Sequence, residues 1–413
     1  MRSPSLLRAG ATAVLALILV AAPVSVGAAF GSQAVTSTIP VGNLPQGVAV
    51  DPVTHTAYVV NTDDGTVSVI KGNTATSTIS VGSRPLGVAV DPVTHTIYVT
   101  NSWSQSVSVI NGNTVTSTIP VDSSPYGVAV DPETHTVYVT HDYAAAVSVI
   151  NGTAVTRTIP VGAGPHGVAV DPGTHTVYVT NLYDGTVSVI DGTAVSSTIA
   201  VGAPLGVAVD PRTHTVYVTS PSTGSLSVIN GTTVTGSVTF GSRTPDWVAV
   251  DPGTHTVYVT HINSDKVSVV NGNTVTSTVS VGGAPVGVAV DPETHTIYVT
   301  NAVSGTVSVI TNLVKQGFDG DGHADVMARD GNGALLLYPG NGTGGWLTPT
   351  QIGSGWNVMT AVLGPGDFNG DGHSDVMARD GNGALLLYPG NGTGGWLTPT
   401  QIGSGWNVMT AIV

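Results

Sequence analysis

The sequence predicts an all-β chain: a seven-bladed β-propeller of four-stranded blades, closed by an N-terminal strand and followed by a small C-terminal β-repeat domain. Three observations carry this. The phrase Gly87-Val88-Ala89-Val90-Asp91-Pro92-Val93-Thr94-His95-Thr96-Ile97-Tyr98-Val99-Thr100-Asn101 recurs seven times in near copy, with its Asp-Pro pair at Asp51, Asp91, Asp131, Asp171, Asp210, Asp251 and Asp291. A fixed period of about forty residues marks a solenoid, a propeller or an array. Each unit holds four short runs rich in Val, Thr, Ile and Tyr, residues that favour strands. The seventh unit lacks its fourth run after Ile310, and the missing phrase stands at the other end of the repeats, at residues 34–41. A strand supplied from there completes the last blade and removes edges that an open stack would have to cap.

Taken in order, residues 1–29 read as a secretory signal. Arg2 and Arg8 precede an apolar run over 9–22, and Gly27-Ala28-Ala29 offers small residues for cleavage. Gly10, Pro23 and Ser25 interrupt the run, which is short for a span of ~20 residues. The expectation is a secreted or cell-surface-associated protein, with no integral membrane segment in the mature chain.

The propeller is expected over 34–311. In the unit that starts at Val81, strand a covers 87–91 and ends in the turn Asp91-Pro92-Val93-Thr94. Proline presets φ there, and the Asp carboxylate can accept an N–H two residues on. Strand b covers 96–100, a short loop 101–105, and strand c 106–110. Asn111-Gly112 marks a tight hairpin, since both residues tolerate positive φ, and strand d covers 114–121. Apolar and β-branched side chains on both strand faces suit blades packed face to face.

Seven Thr-His-Thr triplets (His55, His95, His135, His175, His214, His255, His295) accompany the a–b turns. A catalytic group belongs in one cleft, so a histidine present in every blade is expected to hold the turn beside it. Variation within the repeat is more informative. The d–a and b–c loops share one face, and it changes from blade to blade. Tyr126, His166 and Trp247 follow the loop proline, while Trp103, Tyr143, Tyr183, His141 and His261 occupy the b–c loops. Aromatic residues on loops of a rigid scaffold suit a binding face; the alternative is that they plug the central channel or pack between blades.

Tyr98-Val99-Thr100-Asn101, repeated at 178–181 and 298–301, resembles the YVTN family of β-propeller repeats over roughly 34–311. The resemblance implies the fold but little about activity, because related propellers serve as scaffolds, cofactor carriers and lyases.

From residue 317 to 413 the phrase changes. Residues 320–361 and 370–411 match at all but one position, Ala324 against Ser374. Each copy opens on an acidic loop, and the second reads Asp367-Phe368-Asn369-Gly370-Asp371-Gly372-His373-Ser374-Asp375. Alternate oxygen-bearing residues with a glycine for the sharp turn give the spacing of a Ca²⁺ loop, without the flanking helices or final Glu of an EF-hand. The loop resembles the FG-GAP/VCBS repeats of extracellular proteins. That resemblance implies Ca²⁺ held by Asp367, Asn369, Asp371 and Asp375 with the His373 carbonyl. In the first copy it implies Asp319, Asp321 and Asp325 with the His323 carbonyl, Gly317 having no side chain to offer. Strands are expected over 375–379 and 384–388. Two repeats are too few for a closed propeller of their own; they must form a small sheet unit, dock on the first domain or associate with another chain.

Composition narrows the function. The formal charge of −14, with only 9% charged residues, provides no basic patch for nucleic acid. The absence of cysteine excludes disulfides, thiol catalysis and Cys-zinc sites. The preferred expectation is a non-enzymatic binding or surface-associated propeller whose extracellular ligand is a glycan or cell-wall polymer, with no cofactor in the propeller itself. The second is a lyase or hydrolase at the channel mouth, using His141, His166 and His261 with Asp142 or Asp246, although no nucleophile motif or zinc-type His-Glu pair is present. The third is a structural envelope protein.

Overall fold

A computed structural model describes residues 33–312, 318–319, 325–340, 345–366, 368–369 and 373–408. The signal-like segment lies outside the described residues. The chain forms two compact units, divided between residues 314 and 315.

The first unit is a ring of seven four-stranded antiparallel blades. Blade 1 is Pro45–Asp51, Thr56–Asn61, Thr66–Lys71 and Thr74–Ser80, strands a to d, and five more blades follow in the same consecutive order. Blade 7 takes strands a to c from Pro285–Asp291, Thr296–Asn301 and Thr306–Asn312, and its outermost strand is Gln33–Pro40 from the start of the propeller. That strand runs antiparallel with Gln33 opposite Asn312 and Pro40 opposite Thr306, with a bulge between Val35 and Ser37. Gln33 Nε2 also donates to the Tyr258 hydroxyl of blade 6 at 2.7 Å.

Burial follows position in the blade. Strand Thr96–Asn101 is buried along its whole length, whereas strand d, Thr114–Pro120, buries only Ile119. The apolar side chains of neighbouring blades meet between the sheets: Tyr98, Val107, Val109 and Ile119 of blade 2 pack with Val137, Val139 and Ile150 of blade 3. Strands a converge on the axis so closely that six of the seven blades carry glycine there. A Cβ on Gly87 would stand 2.5 Å from the Tyr126 carbonyl of the next blade. Thr100 Oγ1 uses the space, accepting the Gly87 N–H at 2.8 Å and donating to the Tyr126 carbonyl at 2.6 Å.

Two local expectations need correction. The c–d hairpin turns one residue later than Asn111-Gly112: Asn111 pairs with Thr114, and Gly112 alone takes positive φ, at 59°. A glycine as first central residue is the requirement of a II′-type turn. The triplet histidines do not hold their own turns. Each reaches back to the Asp-Pro aspartate of the preceding blade, His95 Nδ1 to Asp51 Oδ2 at 2.8 Å and His255 to Asp210 at 2.6 Å, and His55 to Asp291 closes the circle at 2.8 Å. The other oxygen of the same aspartate accepts the turn N–H, as Asp51 Oδ1 does from Val53 at 3.0 Å. Each histidine sits at positive φ, between 50° and 58°, a region that His tolerates better than most residues. One carboxylate thus fixes its turn and pins the next blade.

In the second unit the first repeat forms a three-stranded sheet, Val326–Arg329, Leu335–Tyr338 and Thr350–Gly353. The second repeat supplies Asp375–Asp380, Leu385–Tyr388 and Thr400–Gly403 to a four-stranded sheet whose remaining strand, Met359–Gly366, comes from the end of the first copy and the segment between the two. Phe318, Leu335, Leu337 and Trp356 of the first repeat share a core with Val376 and Ala378 of the second. Among the described residues no helix is long and apolar enough to cross a membrane.

Candidate functional site

On the face of the b–c loops, between blades 2 and 3, lies an open groove of about 620 Å³. Its walls are Arg84, Ser102, Trp103 and Gln105 on one side and Ser123, Ser124, Asp142 and Tyr143 on the other, with Tyr126 and Leu86 toward the axis. Trp103 and Tyr143 stand out from the b–c turns, largely exposed. Rigid strands on either side of a four-residue turn hold them there, as expected for function carried on loops. Arg84 lies over the Trp103 ring, 5.0 Å from its centre, a cation–π contact that orients both groups.

Toward the axis the groove meets a second cluster. Tyr126 packs edge-on against His166, with ring centres 4.4 Å apart, and stacks parallel to Trp247 at 6.4 Å. Tyr126 and Trp247 also line a central channel cavity of about 90 Å³. These aromatic residues come from strand a and project where the strands converge, so they belong to the channel mouth and not to loop tips. Trp247 occupies the glycine position of its blade, yet its N–H still reaches Thr260 Oγ1 at 3.0 Å, as the glycines do elsewhere.

Charged groups surround the cluster. Burial pushes the Asp246 carboxyl up to about 7. Burial also pushes the Tyr126 hydroxyl up to about 12, reinforced by the nearby Asp246 and Asp142 charges and opposed by Arg84. His166 is held below the usual imidazole value, chiefly by burial, with Asp142 working the other way. Its Nε2 lies 3.9 Å from Asp142 Oδ1, and neither that oxygen nor His166 Nδ1 has a hydrogen-bond partner although both are buried. A cluster of this kind can orient a ligand with several hydrogen-bonding groups against aromatic faces.

The candidates therefore separate. Trp103, Tyr126 and Tyr143 share the groove, and His166 and Trp247 adjoin it through Tyr126. Tyr183 is exposed on the next b–c turn, where its ring lies over Gly164. His141 and His261 are not loop residues. Each ends strand b, fully buried, where four other blades carry Asn61, Asn101, Asn181 and Asn301. Their Nε2 atoms bond Ser148 and Ser268 at 2.8 and 2.7 Å, as the Asn101 amide bonds Ser108 at 2.9 Å. An imidazole has replaced an amide in the same framework contact. Arg84 was not among the residues expected from the sequence, although a loop cation in a chain with 11 Lys and Arg is an available signal.

In the C-terminal loops Asp375 is fully buried, its Oδ2 accepting the Phe368 and Asn369 N–H groups at 2.8 and 3.0 Å and its Oδ1 the Gly390 N–H at 3.0 Å. Asp325 does the same with Phe318, Asp319 and Gly340. Asn369 and His373 lie in the second loop beside Asp375. Asp321, His323, Asp367 and Asp371 lie outside the described residues.

Fold and site together define a β-propeller that carries a groove of unrepeated aromatic residues on a repeated scaffold. The family model for the FG-GAP-like repeat matches residues 317–378. Among solved structures the chain is similar to virginiamycin B lyase from Staphylococcus aureus, with a TM-score of 0.61, 12% identity, and 68% of this chain and 99% of that one covered. It is likewise similar to Kuenenia stuttgartiensis hydrazine synthase, with a TM-score of 0.59, 19% identity, and 64% and 95% covered. At these identities the likeness is one of fold. No curated protein matches the sequence.

Proposed function

We propose that the protein is a secreted or cell-surface binding scaffold that holds a glycan or cell-wall polymer in the groove of Trp103, Tyr126 and Tyr143. The observation that carries this reading is the groove itself: aromatic residues, Arg84, Asp142 and serine hydroxyls gathered at one blade junction of a face whose framework is otherwise repeated. Sugar rings offer C–H faces to aromatic side chains and hydroxyls to the polar wall. A glycan and cell-wall binding screen on the full chain tests it. Trp103→Ala and Tyr143→Ala should each weaken saturable binding about 10-fold or more, the effect of truncating an aromatic anchor, with an unchanged melting temperature. Equal binding by the parent and both variants would remove the groove from consideration.

A lyase or hydrolase is the second reading, favoured by one observation. His166 and Asp142 keep buried polar atoms without hydrogen-bond partners, and Asp246, whose charge like that of Asp142 acts on Tyr126, is pushed to about 7, an environment suited to proton transfer. Similar solved structures include lyases, a likeness of fold alone. Turnover of a bound glycan that disappears in Asp246→Asn while binding persists would select this reading.

For the C-terminal unit the proposal is that the acidic loops take Ca²⁺. Hard oxygen donors suit the ion, but Asp375 already uses both acceptor sites of Oδ2 for N–H groups. It fits as the brace of the loop, with at most one oxygen for metal, which leaves Asp367, Asn369 and Asp371 as the principal side-chain donors. The first loop lacks a donor at Gly317. Calorimetry should therefore find the tighter site lost in Asp371→Ala and the weaker one in Asp321→Ala, with Gly317→Asp strengthening the latter. The reverse order would overturn the assignment.

A further inference from the structure

The two C-terminal repeats set nearly the same sequence in different surroundings. Residues 320–361 and 370–411 differ only at Ala324 against Ser374, so a side chain in one copy shows what its counterpart does when a neighbour is present. Phe318, in the first acidic loop, is 8% exposed; Phe368, its counterpart, is 56% exposed. The second copy is what covers Phe318. The Phe318 carbonyl accepts the Gly394 N–H at 2.7 Å, and its ring lies in the core with Val376 and Ala378, against which Trp396 packs.

The receiving side shows the reciprocal contrast. Val376 is fully buried, whereas Val326, its counterpart, is 45% exposed. Trp396 is half-buried and packs on Trp356 with ring centres 5.4 Å apart, whereas Trp346 is 58% exposed. Met359–Gly366 flanks strand Asp375–Asp380, but Val326–Arg329 is an edge strand among the described residues. The first copy therefore presents an open socket and the second an open knob, and the contact that joins them is already made once within the chain.

We propose that Phe368 of one molecule docks on the face formed by Val326 and Trp346 of a second copy of this chain, repeating between molecules the contact that Phe318 makes within one. The partner is a second copy because the surface complementary to each open face is the near-identical sequence on the same chain. The contact is heterologous: every molecule that joins leaves one knob and one socket open, so assembly closes into a ring or continues as a filament according to its rotation. Exposed aromatic residues that become buried at its centre are the residues on which such contacts depend most.

Sedimentation velocity on the full chain across about 1–200 µM, the range of moderate self-association, tests this. The parent should gain mass with concentration. Phe368→Asp and Trp346→Asp should each weaken association roughly 30-fold or more, with unchanged melting temperatures because both side chains are exposed. An equimolar mixture of the two variants should form a dimer and nothing larger, since one keeps the socket and the other the knob. A parent that stays monomeric, association indifferent to either substitution, or a mixture that stays monomeric would each overturn the proposal.

Discussion

Asp246 and His261 pull the pH dependence of stability in opposite directions. Burial pushes Asp246 up to about 7, so the fold prefers the neutral acid. Its contribution is fullest below the unfolded value of ~4 and declines as pH rises to about 7. His261 is pushed down to about 4, first by burial and then by Arg243. The fold prefers the neutral ring, so that stability is full above the unfolded value of ~6.5 and is lost as pH falls toward about 4. His141 and His166, also held down by burial, act in the same sense. The two slopes offset one another in the parent protein. On acidification from pH 6.5 to 4, Asp246→Asn should therefore lose stability and His261→Asn gain it, the two changes differing by about 5–6 kcal/mol, measured as urea midpoints. Parallel profiles for the two variants would disprove the assignment. His175 tests a different residue-scale point. His175→Ala removes its bond to Asp131 of the preceding blade, leaving a buried carboxylate with one partner fewer. A loss of about 1–3 kcal/mol is expected at pH 7, with ligand binding unaffected.

The closing strand shows which elements local pattern reveals. Gln33–Pro40 could be read as the last blade's fourth strand because a repeated phrase was missing at one end and present at the other. Strands b and c were equally clear, since Val-rich runs between Asp-Pro and Asn-Gly turns leave little choice of period. The destination of the triplet histidines was not readable, because the bond to the preceding blade depends on the angle between sheets and no local pattern encodes that. His141 and His261 fall in the loop on the sequence pattern for a simpler reason: the Val-Thr run of strand b stops at the residue before them, whereas the strand continues one residue further, through Asn101 and its counterparts. Trp103 and Tyr143 were legible as departures from the repeat. The meeting of Tyr126, His166 and Trp247 was not, because it arises from the convergence of strands a at the axis. Deleting residues 33–40 should expose the strand Thr306–Asn312 as an unpaired edge, with aggregation or a large drop in melting temperature. A cooperative transition at the parent temperature would show that closure contributes little.

At the scale of the whole propeller, seven similar interfaces are joined in a circle, and six of the seven blades are continuous in the chain. The seventh alone depends on a non-covalent ladder between residues more than 260 positions apart, from Pro40 opposite Thr306 to Gln33 opposite Asn312. The chain enters and leaves the ring at the same end of that ladder. Tension applied between residues 33 and 312 therefore loads the Gln33–Asn312 pair alone and opens the strand one pair at a time, as a zipper opens, whereas a sheared ladder would resist with all its pairs together. Pulled in an optical trap from those two points, the ring should yield first at its closing blade and at low force. A ring built this way presents a rigid face, yet it is a poor tether when the load passes from one end of the ring to the other.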